Sequence, residues 1–322
     1  MPTSHTLSPD DHEQIRRDIT RTYLHGTSVS DKPRAIILAG QPGAGKSGLR
    51  YAAVDGLKDA GGVVIVDTDE LRSEHPAYGA LVKQNDRTAA DLVQKDAGQW
   101  ADELTQDAIK QRRNLVIDGT LKNPEKAKKL CHQLRNEGYE VEVRALAVAK
   151  EDSTLGVYCR YEEQKSQNMP ARWVPEPVRD QAYDGLPKTL DVLDRGRYVD
   201  RVTVYKRGEH GPVPIHTGRG ATRALEKERN RERSQEELAG RDKAWNHESV
   251  SLKDKDAGLM QRIQTRDPQL IEPENRRAGE FAMEARDKAQ GKIAPDAGKD
   301  GGRLSASSKF RENPNDDRDR SR

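Results

Sequence analysis

Before about residue 220, short apolar runs alternate with longer stretches that are mostly polar. Compact runs rich in Val, Ile, Leu and Ala are typical of buried strands, whereas apolar residues spaced three or four apart are typical of helices. The pattern predicts strands at 35–39, 62–66, 114–117 and 140–148, and helices at 8–24, 48–54, 89–113, 124–136, 154–167 and 175–195. Strands that alternate with helices predict an α/β fold with a mostly parallel sheet and helices on both faces.

The pattern changes towards the end of this region. Apolar residues at 201–205 and 213–216, separated by Gly208 and Gly211, predict a hairpin or two edge strands. From residue 220 onward charged residues dominate and large apolar residues are few, which predicts a charged helical or disordered extension. We therefore expect a folded domain over residues 1–219 and an extension over residues 220–322.

Composition limits the class of protein and the cellular compartment that we expect for this chain. Charged residues make up 34% and the mean hydropathy is −0.99, so a packed core throughout the chain is excluded. The net charge of +2 gives no general attraction to nucleic acid. Two cysteines, Cys131 and Cys159, are too few for a disulfide framework and suit a reducing compartment. With neither a signal-peptide pattern nor a membrane-spanning run, we expect a soluble cytoplasmic protein.

The most specific motif follows the first predicted strand and opens a helix. It matches the phosphate-binding pattern G-x-x-x-x-G-K-[ST] in full and is called the phosphate loop below. Its glycines let several backbone N–H groups point at one anion, its lysine reaches the β- and γ-phosphates, and its serine ligates Mg²⁺. We therefore predict binding of ATP (or GTP) with Mg²⁺ by Gly40, Gln41, Pro42, Gly43, Ala44, Gly45, Lys46 and Ser47.

Polar residues also follow the next two predicted strands. Asp67 and Asp69 come after the second, and Asp118 ends the third, with Thr120 and Lys122 just beyond it. Ligands of parallel α/β sheets lie at the carboxyl ends of the strands, so these groups are expected to meet the phosphate loop at one edge. For Asp67, a role in capping the next helix is an equally good interpretation.

Cations for phosphoryl transfer are also available. Arg160 and Arg172 lie in and after a helix downstream of the last parallel strand, and as a pair they could form a lid over the developing phosphoryl charge. Asp102 and Glu103 lie in the middle of a predicted helix, where carboxylates are more often solvated than functional.

Taken together, these motifs resemble the zeta toxin family, the kinase half of bacterial epsilon/zeta toxin–antitoxin systems. The resemblance covers residues 30–218 and rests on several spaced motifs in the correct order. They are the phosphate loop with its Gln-Pro, Val66-Asp67-Thr68-Asp69 followed by His75-Pro76, residues 114–120, Leu155-Gly156 with Arg160-Tyr161-Glu162, and Ala171-Arg172.

The resemblance implies phosphorylation of the 3′-hydroxyl of the amino sugar in UDP-N-acetylglucosamine or a related UDP-N-acetyl sugar, which would block peptidoglycan synthesis. It makes Asp69 the catalytic base, gives phosphoryl stabilisation to Lys46, Arg160 and Arg172, and leaves Ser47 to hold the metal. Binding of the sugar nucleotide is expected from Asp102, Asp118, Thr120 and Lys122. It also implies a small helical antitoxin that occludes the nucleotide site.

Two departures from the family pattern bear on the acceptor. The family commonly has Glu where this chain has Asp118 and Asp102, and Glu103 is an alternative to Asp102. The alternatives are therefore a kinase of the same fold with another small-molecule or nucleotide acceptor, or an inactive kinase core that acts through its charged tail.

Overall fold

A six-stranded sheet forms the centre of the computed structural model, which describes residues 5–167, 169, 171–208, 210–239 and 241. The strand order is β2-β3-β1-β4-β5-β6; the first five strands are parallel and β6 is antiparallel to β5. This confirms the mostly parallel sheet and the hairpin. The strands are β1 (Arg34–Ala39), β2 (Val64–Asp67), β3 (Leu115–Gly119), β4 (Glu140–Ala147), β5 (Arg201–Gly208) and β6 (Gly211–Thr217).

Helix starts follow the local capping chemistry of the sequence. The Ser8 hydroxyl accepts a hydrogen bond from the backbone N–H of Asp11, and Asn123 caps the helix after β3 in the same way. A proline occupies the first turn of both helices, where no N–H is needed. The helices are α1 (Pro9–Leu24), α2 (Ser47–Asp55), α3 (Thr68–Leu71), α4 (Tyr78–Asn85), α5 (Ala89–Leu92), α6 (Gln94–Lys110), α7 (Pro124–Asn136), α8 (Lys150–Ser166), α9 (Glu176–Arg195) and α10 (Ala221–Arg229).

One predicted helix is divided. The expected helix at 89–113 is two helices, α5 and α6, because Val93 leaves the helical conformation with φ −107° and ψ 2°. Val93 is fully buried in a small apolar cluster with Tyr78, Leu81 and Ala89. Tertiary packing of this valine therefore overrides the continuous helical pattern.

Among the described residues, two large apolar clusters cover the two faces of the sheet. On β1, Ala35, Ile37 and Ala39 face the larger cluster, whereas Ile36 and Leu38 face the smaller one, as the period of a strand requires. The larger cluster includes apolar residues of α1, α6, α7, α9 and α10, and the smaller cluster includes residues of α2. Within the described ranges, no helix is long and apolar enough to cross a membrane.

The start of the predicted charged extension is folded onto the sheet. Ala221 and Leu225 of α10 are fully buried and belong to the larger core cluster, so this helix does not stand in solvent. The rest of the extension, residues 242–322, lies outside the described residues, and the division at 219/220 stays a prediction.

Candidate active site

The phosphate loop connects β1 to α2, and its curvature depends on two glycines. Gly43 has φ +77° and Gly45 has φ +88°, a left-handed backbone that glycine adopts without steric cost. The backbone N–H of Ala44 donates to the carbonyl of Gln41 at 3.1 Å, which closes the turn between them. Helix α2 begins at Ser47, so the loop leads directly into a helix N-terminus.

Two elements far along the chain pack against the outside of this loop. A Cβ atom added to Gly156 of α8 would lie 2.2 Å from the carbonyl oxygen of Gly43, so the backbones of these two glycines are in close contact. From β5, Arg207 donates through Nε to the carbonyl of Ala44 at 3.0 Å and through Nη2 to that of Gly43. The sequence did not predict this role for Arg207, because no local motif surrounds it and only the strand order of the sheet brings β5 towards the loop.

The loop lysine faces a carboxylate from the neighbouring strand. Lys46 Nζ lies 3.5 Å from Asp118 Oδ1 and donates to the carbonyl of Gly40 at 3.2 Å. Asp118 is paired in register with Asp67 across β2 and β3. Burial raises the pKa of Asp118 and Lys46 opposes this rise, while the neighbouring Asp67 adds to it. The sheet thus brings the predicted Lys46 and Asp118 together.

Asp67 serves the protein's own structure. One of its oxygens accepts from the backbone N–H of Asp69 at 2.8 Å and so caps α3, and the other accepts from Arg50 Nη1 at 2.9 Å. The second nitrogen of Arg50 pairs with Glu70 at 2.6 Å. The capping interpretation of Asp67 is therefore the one the contacts support, and Arg50 is a buried partner that sequence reasoning missed.

Asp69 lies next to two arginines. Its Oδ1 accepts from Arg72 Nη1 at 2.7 Å, and its Oδ2 forms an ion pair with Arg172. The Asp69 side chain remains 39% exposed, so a ligand can approach it. Asp69 and Arg172, two residues predicted separately, are thus in direct contact. Arg72 was not predicted, because only its position three residues after Asp69 relates it to the site.

The second predicted lid arginine has unused donors. Arg160 of α8 keeps two shielded nitrogens, Nε and Nη2, that find no hydrogen-bond acceptor in the part of the chain that the structure describes. Burial lowers the pKa of Arg160, and the charges of Asp67 and Asp118 oppose this decrease. Burial likewise lowers the pKa of Arg172 to about 10. Shielded guanidinium donors of this kind are suited to an anionic ligand.

Two of the other residues predicted to bind the acceptor, Lys122 and Asp102, form side-chain contacts with helices. Thr120 directly follows β3, and Lys122 is exposed and donates to Gln181 of α9 at 3.3 Å. Asp102 is 62% exposed and pairs with Lys126 of α7 at 2.8 Å, a contact that ties it to α7.

Glu103, the alternative to Asp102, is turned towards α1. Its Oε2 lies 3.4 Å from His12 Nε2, and its other oxygen accepts from Gln99 at 2.9 Å. Both carboxylates therefore have partners within the protein, and Asp102, at 62% exposed against 31% for Glu103, is the more accessible of the two.

The donor set at this edge fits a magnesium ion. Oxygen ligands are available from the Ser47 hydroxyl at the start of α2 and from the carboxylate of Asp118. Among the described residues there is no group of three or more His, Cys, Asp or Glu side chains arranged to hold a metal. Mg²⁺ that is bound with a nucleotide takes several of its ligands from phosphate oxygens and water.

Comparisons with known proteins point to one family. The sequence model described as Zeta toxin matches residues 20–213. Toxin PezT of Streptococcus pneumoniae serotype 4 is 32% identical over 188 residues, which cover 58% of this chain and 74% of that protein. Toxin zeta of Streptococcus pyogenes is 29% identical over 196 residues, covering 61% and 68%.

Solved structures agree with this fold. A structure from the PezAT chromosomal toxin–antitoxin system of Streptococcus pneumoniae matches with a TM-score of 0.63 and 25% identity, over 80% of this chain and 98% of that one. The AvrRxo1-ORF1:AvrRxo1-ORF2 complex with sulphate ions matches with a TM-score of 0.53 and 16% identity, over 89% and 90%. The second likeness concerns the fold alone.

Proposed function

The chain belongs to the zeta toxin family, and from this we propose that it is an ATP-dependent kinase acting as a bacterial toxin. The proposed acceptor is the 3′-hydroxyl of the amino sugar of UDP-N-acetylglucosamine or a related UDP-N-acetyl sugar, and the target is cell-wall synthesis. The observation that supports this best is the edge at which Lys46 meets Asp118 and Asp69 meets Arg172. On this proposal the phosphate grip and the candidate base would belong to one site.

The donor side uses the phosphate loop. Backbone N–H groups and the start of α2 would hold the phosphates of ATP, or of GTP, and Lys46 would neutralise the transferring group. Ser47 would hold Mg²⁺, which when bound neutralises charge on the phosphate oxygens. The unused nitrogens of Arg160 support a role in binding the γ-phosphate, because the fork of a guanidinium can hold two oxygens at once.

The acceptor side depends on Asp69. A carboxylate that accepts the hydroxyl proton as the new O–P bond forms contributes on the order of 10²–10⁴ in rate. Arg72 and Arg172 support this role because their contacts hold the carboxylate of Asp69 in a fixed position. We assign binding of the sugar nucleotide to Asp118, Thr120, Lys122 and Asp102. Asp102 would have to release its ion-pair partner Lys126 to bind the substrate.

The test is a screen of ATP consumption against UDP-sugars, nucleosides and NAD, with wild type compared with Asp69→Asn. Asn keeps the shape of the side chain and cannot take the proton. We expect turnover with a UDP-N-acetyl sugar and a loss of about 10²-fold or more in the variant. Equal ATP consumption by the two proteins would remove Asp69 from the mechanism. Turnover with nucleosides alone would show that the acceptor is a nucleoside and not a UDP-N-acetyl sugar.

We also propose an antitoxin partner, a small helical protein that covers the nucleotide site, and action in the cytoplasm. The support is the family and the likeness to a structure from a toxin–antitoxin system. Expression of the wild-type chain alone should arrest bacterial growth, and expression of Lys46→Met should not. Normal growth with soluble wild-type protein would contradict the toxin proposal.

A further inference from the structure

We infer that the segment 221–241 positions the phosphate loop for nucleotide binding and that Arg229 is the residue through which it does so. The inference rests on the proposed function, since it assigns the loop to a nucleotide. The segment lies beyond residues 20–213, the part matched by the family. The family match therefore does not identify the role proposed for the segment 221–241.

Arg229 reaches the loop from the end of α10. Its Nη2 donates to Gln41 Oε1 at 2.8 Å, and its Nη1 donates to the backbone carbonyl of Tyr183 in α9 at 2.8 Å. The guanidinium also lies over the Tyr183 ring, 3.9 Å from its centroid. Arg229 is 5% exposed, so these contacts are made away from water. One side chain thus fastens the loop to α9 and α10.

Gln41 connects Arg229 to the phosphate loop. It is 1% exposed, and its Nε2 donates to the carbonyl of Val148 just after β4 at 2.8 Å. Its own backbone carbonyl accepts from Ala44 within the turn of the loop. With both ends of the Gln41 amide bonded, its side chain is fixed between Arg229 and Val148. Loss of Arg229 would leave the buried Oε1 without its charged donor and free the loop to move.

A second contact of the same segment supports the neighbouring helix. Arg241 is 1% exposed and donates through Nη1 to Asp152 Oδ1 at 3.0 Å in the first turn of α8. The next residue, Ser153, lies against the loop, since a Cβ atom on Gly43 would be 1.9 Å from its carbonyl oxygen. The segment 221–241 thus holds the loop directly through Gln41 and indirectly through α8.

The inference is tested on full-length chains that differ at Arg229. Binding of a non-hydrolysable ATP analogue with Mg²⁺ is measured by titration calorimetry, and thermal unfolding is measured without nucleotide. Arg229→Met keeps the bulk and removes the donors, and we expect the affinity to fall about 10-fold or more, as for loss of a charged hydrogen bond. Arg229→Lys keeps one charged donor and should recover part of the affinity. Arg223→Met, at an exposed position of the same helix, is the matched control and should bind like wild type.

A double-mutant cycle separates positioning from general stability. If Arg229 acts through Gln41, Arg229→Met should have little further effect on affinity in a Gln41→Met background. An equal loss in both backgrounds, or a lower melting temperature with unchanged affinity, would overturn the inference and leave the proposed function standing. A wild-type chain that binds neither ATP nor GTP would overturn both.

Discussion

Lys46 Nζ lies 3.5 Å from Asp118 Oδ1, which joins the phosphate loop to the end of β3. The two residues belong to the donor half and the acceptor half of the proposed site. Because β1 lies between β3 and β4 in the sheet, the loop that follows β1 is held beside the carboxyl end of β3. The sheet order is therefore what brings Lys46 and Asp118, residues of the proposed two-substrate site, together from positions far apart in the sequence.

Replacement of this lysine is expected to remove phosphoryl transfer. Lys46→Met keeps the apolar stem and removes the charge that faces the phosphates, so kcat/KM should fall by about 10²-fold or more. The rate of ADP release with the acceptor found in the screen is the measurement. Lys58→Met, at an exposed position in the turn before β2, is the control. A variant at position 46 within a few-fold of wild type would exclude Lys46 from the reaction.

Asp118 is expected to make stability depend on pH. Burial raises its pKa in the folded protein above the ordinary value of 3.8, so between these two values the folded state binds more protons than the unfolded state. Its contribution is therefore fully present below the unfolded pKa and is lost as the pH rises through the folded pKa. Asp118→Asn should become more stable relative to wild type as the pH rises from about 4, by about 1.4 kcal/mol for each pH unit that separates the folded pKa from the unfolded one.

Urea unfolding of both proteins between about pH 4 and pH 8 measures this difference. A difference in unfolding free energy that stays constant over the whole range would show that the carboxyl of Asp118 titrates normally in the folded protein.

Gly156→Ala should disturb the phosphate loop. The added Cβ would meet the Gly43 carbonyl at 2.2 Å, and backbone on both sides leaves no flexible side chain to move away. We expect a loss of about 1–3 kcal/mol in unfolding free energy together with weaker ATP binding. The control is Gly79→Ala in α4, where a Cβ meets nothing within 4 Å and helix propensity predicts a gain of up to about 1 kcal/mol. Similar effects at the two positions would argue against close contact at Gly156.

The two cysteines should differ in reactivity. Burial raises the pKa of Cys131 to about 12, so at pH 8 only about 10⁻⁴ of this thiol is ionised, whereas Cys159 is partly exposed. In the native protein a thiol reagent at pH 8 should modify Cys159 and spare Cys131, and denaturant should expose both. Mass spectrometry of the labelled peptides is the measurement. Rapid native labelling of Cys131 would show that α7 opens readily.

Local patterns predicted most of the fold. The Ser8 cap with Pro9 gave the start of α1, and the apolar runs gave the core of every parallel strand. The break at Val93 was missed because nothing local favours it, since the valine leaves the helix only to fill a cluster with Tyr78. The packing of α10 was missed because charged neighbours obscure the spacing of Ala221 and Leu225.

The sequence predicted those residues of the candidate site that belong to a recognisable motif. The phosphate loop follows β1, Asp69 comes two residues after β2 and Asp118 lies near the end of β3, so a parallel sheet alone predicts that all three lie at one edge. Arg207 and Arg229 were not recognised, because each reaches the loop from about 160 to 190 residues away in sequence. A single sequence gives such arginines no pattern that distinguishes them from surface charges.

The hairpin that ends the sheet also limits what can be added to it. Pro212 and Pro214 of β6 lie two positions apart, so their nitrogens point to the same side of the strand, and neither carries a hydrogen. Proline within sheets is found where that nitrogen faces outward from an edge. At the opposite edge, β2 is only four residues long. Both borders are therefore poor templates for a strand from another molecule, which protects a chain rich in exposed charge from polymerising through its sheet.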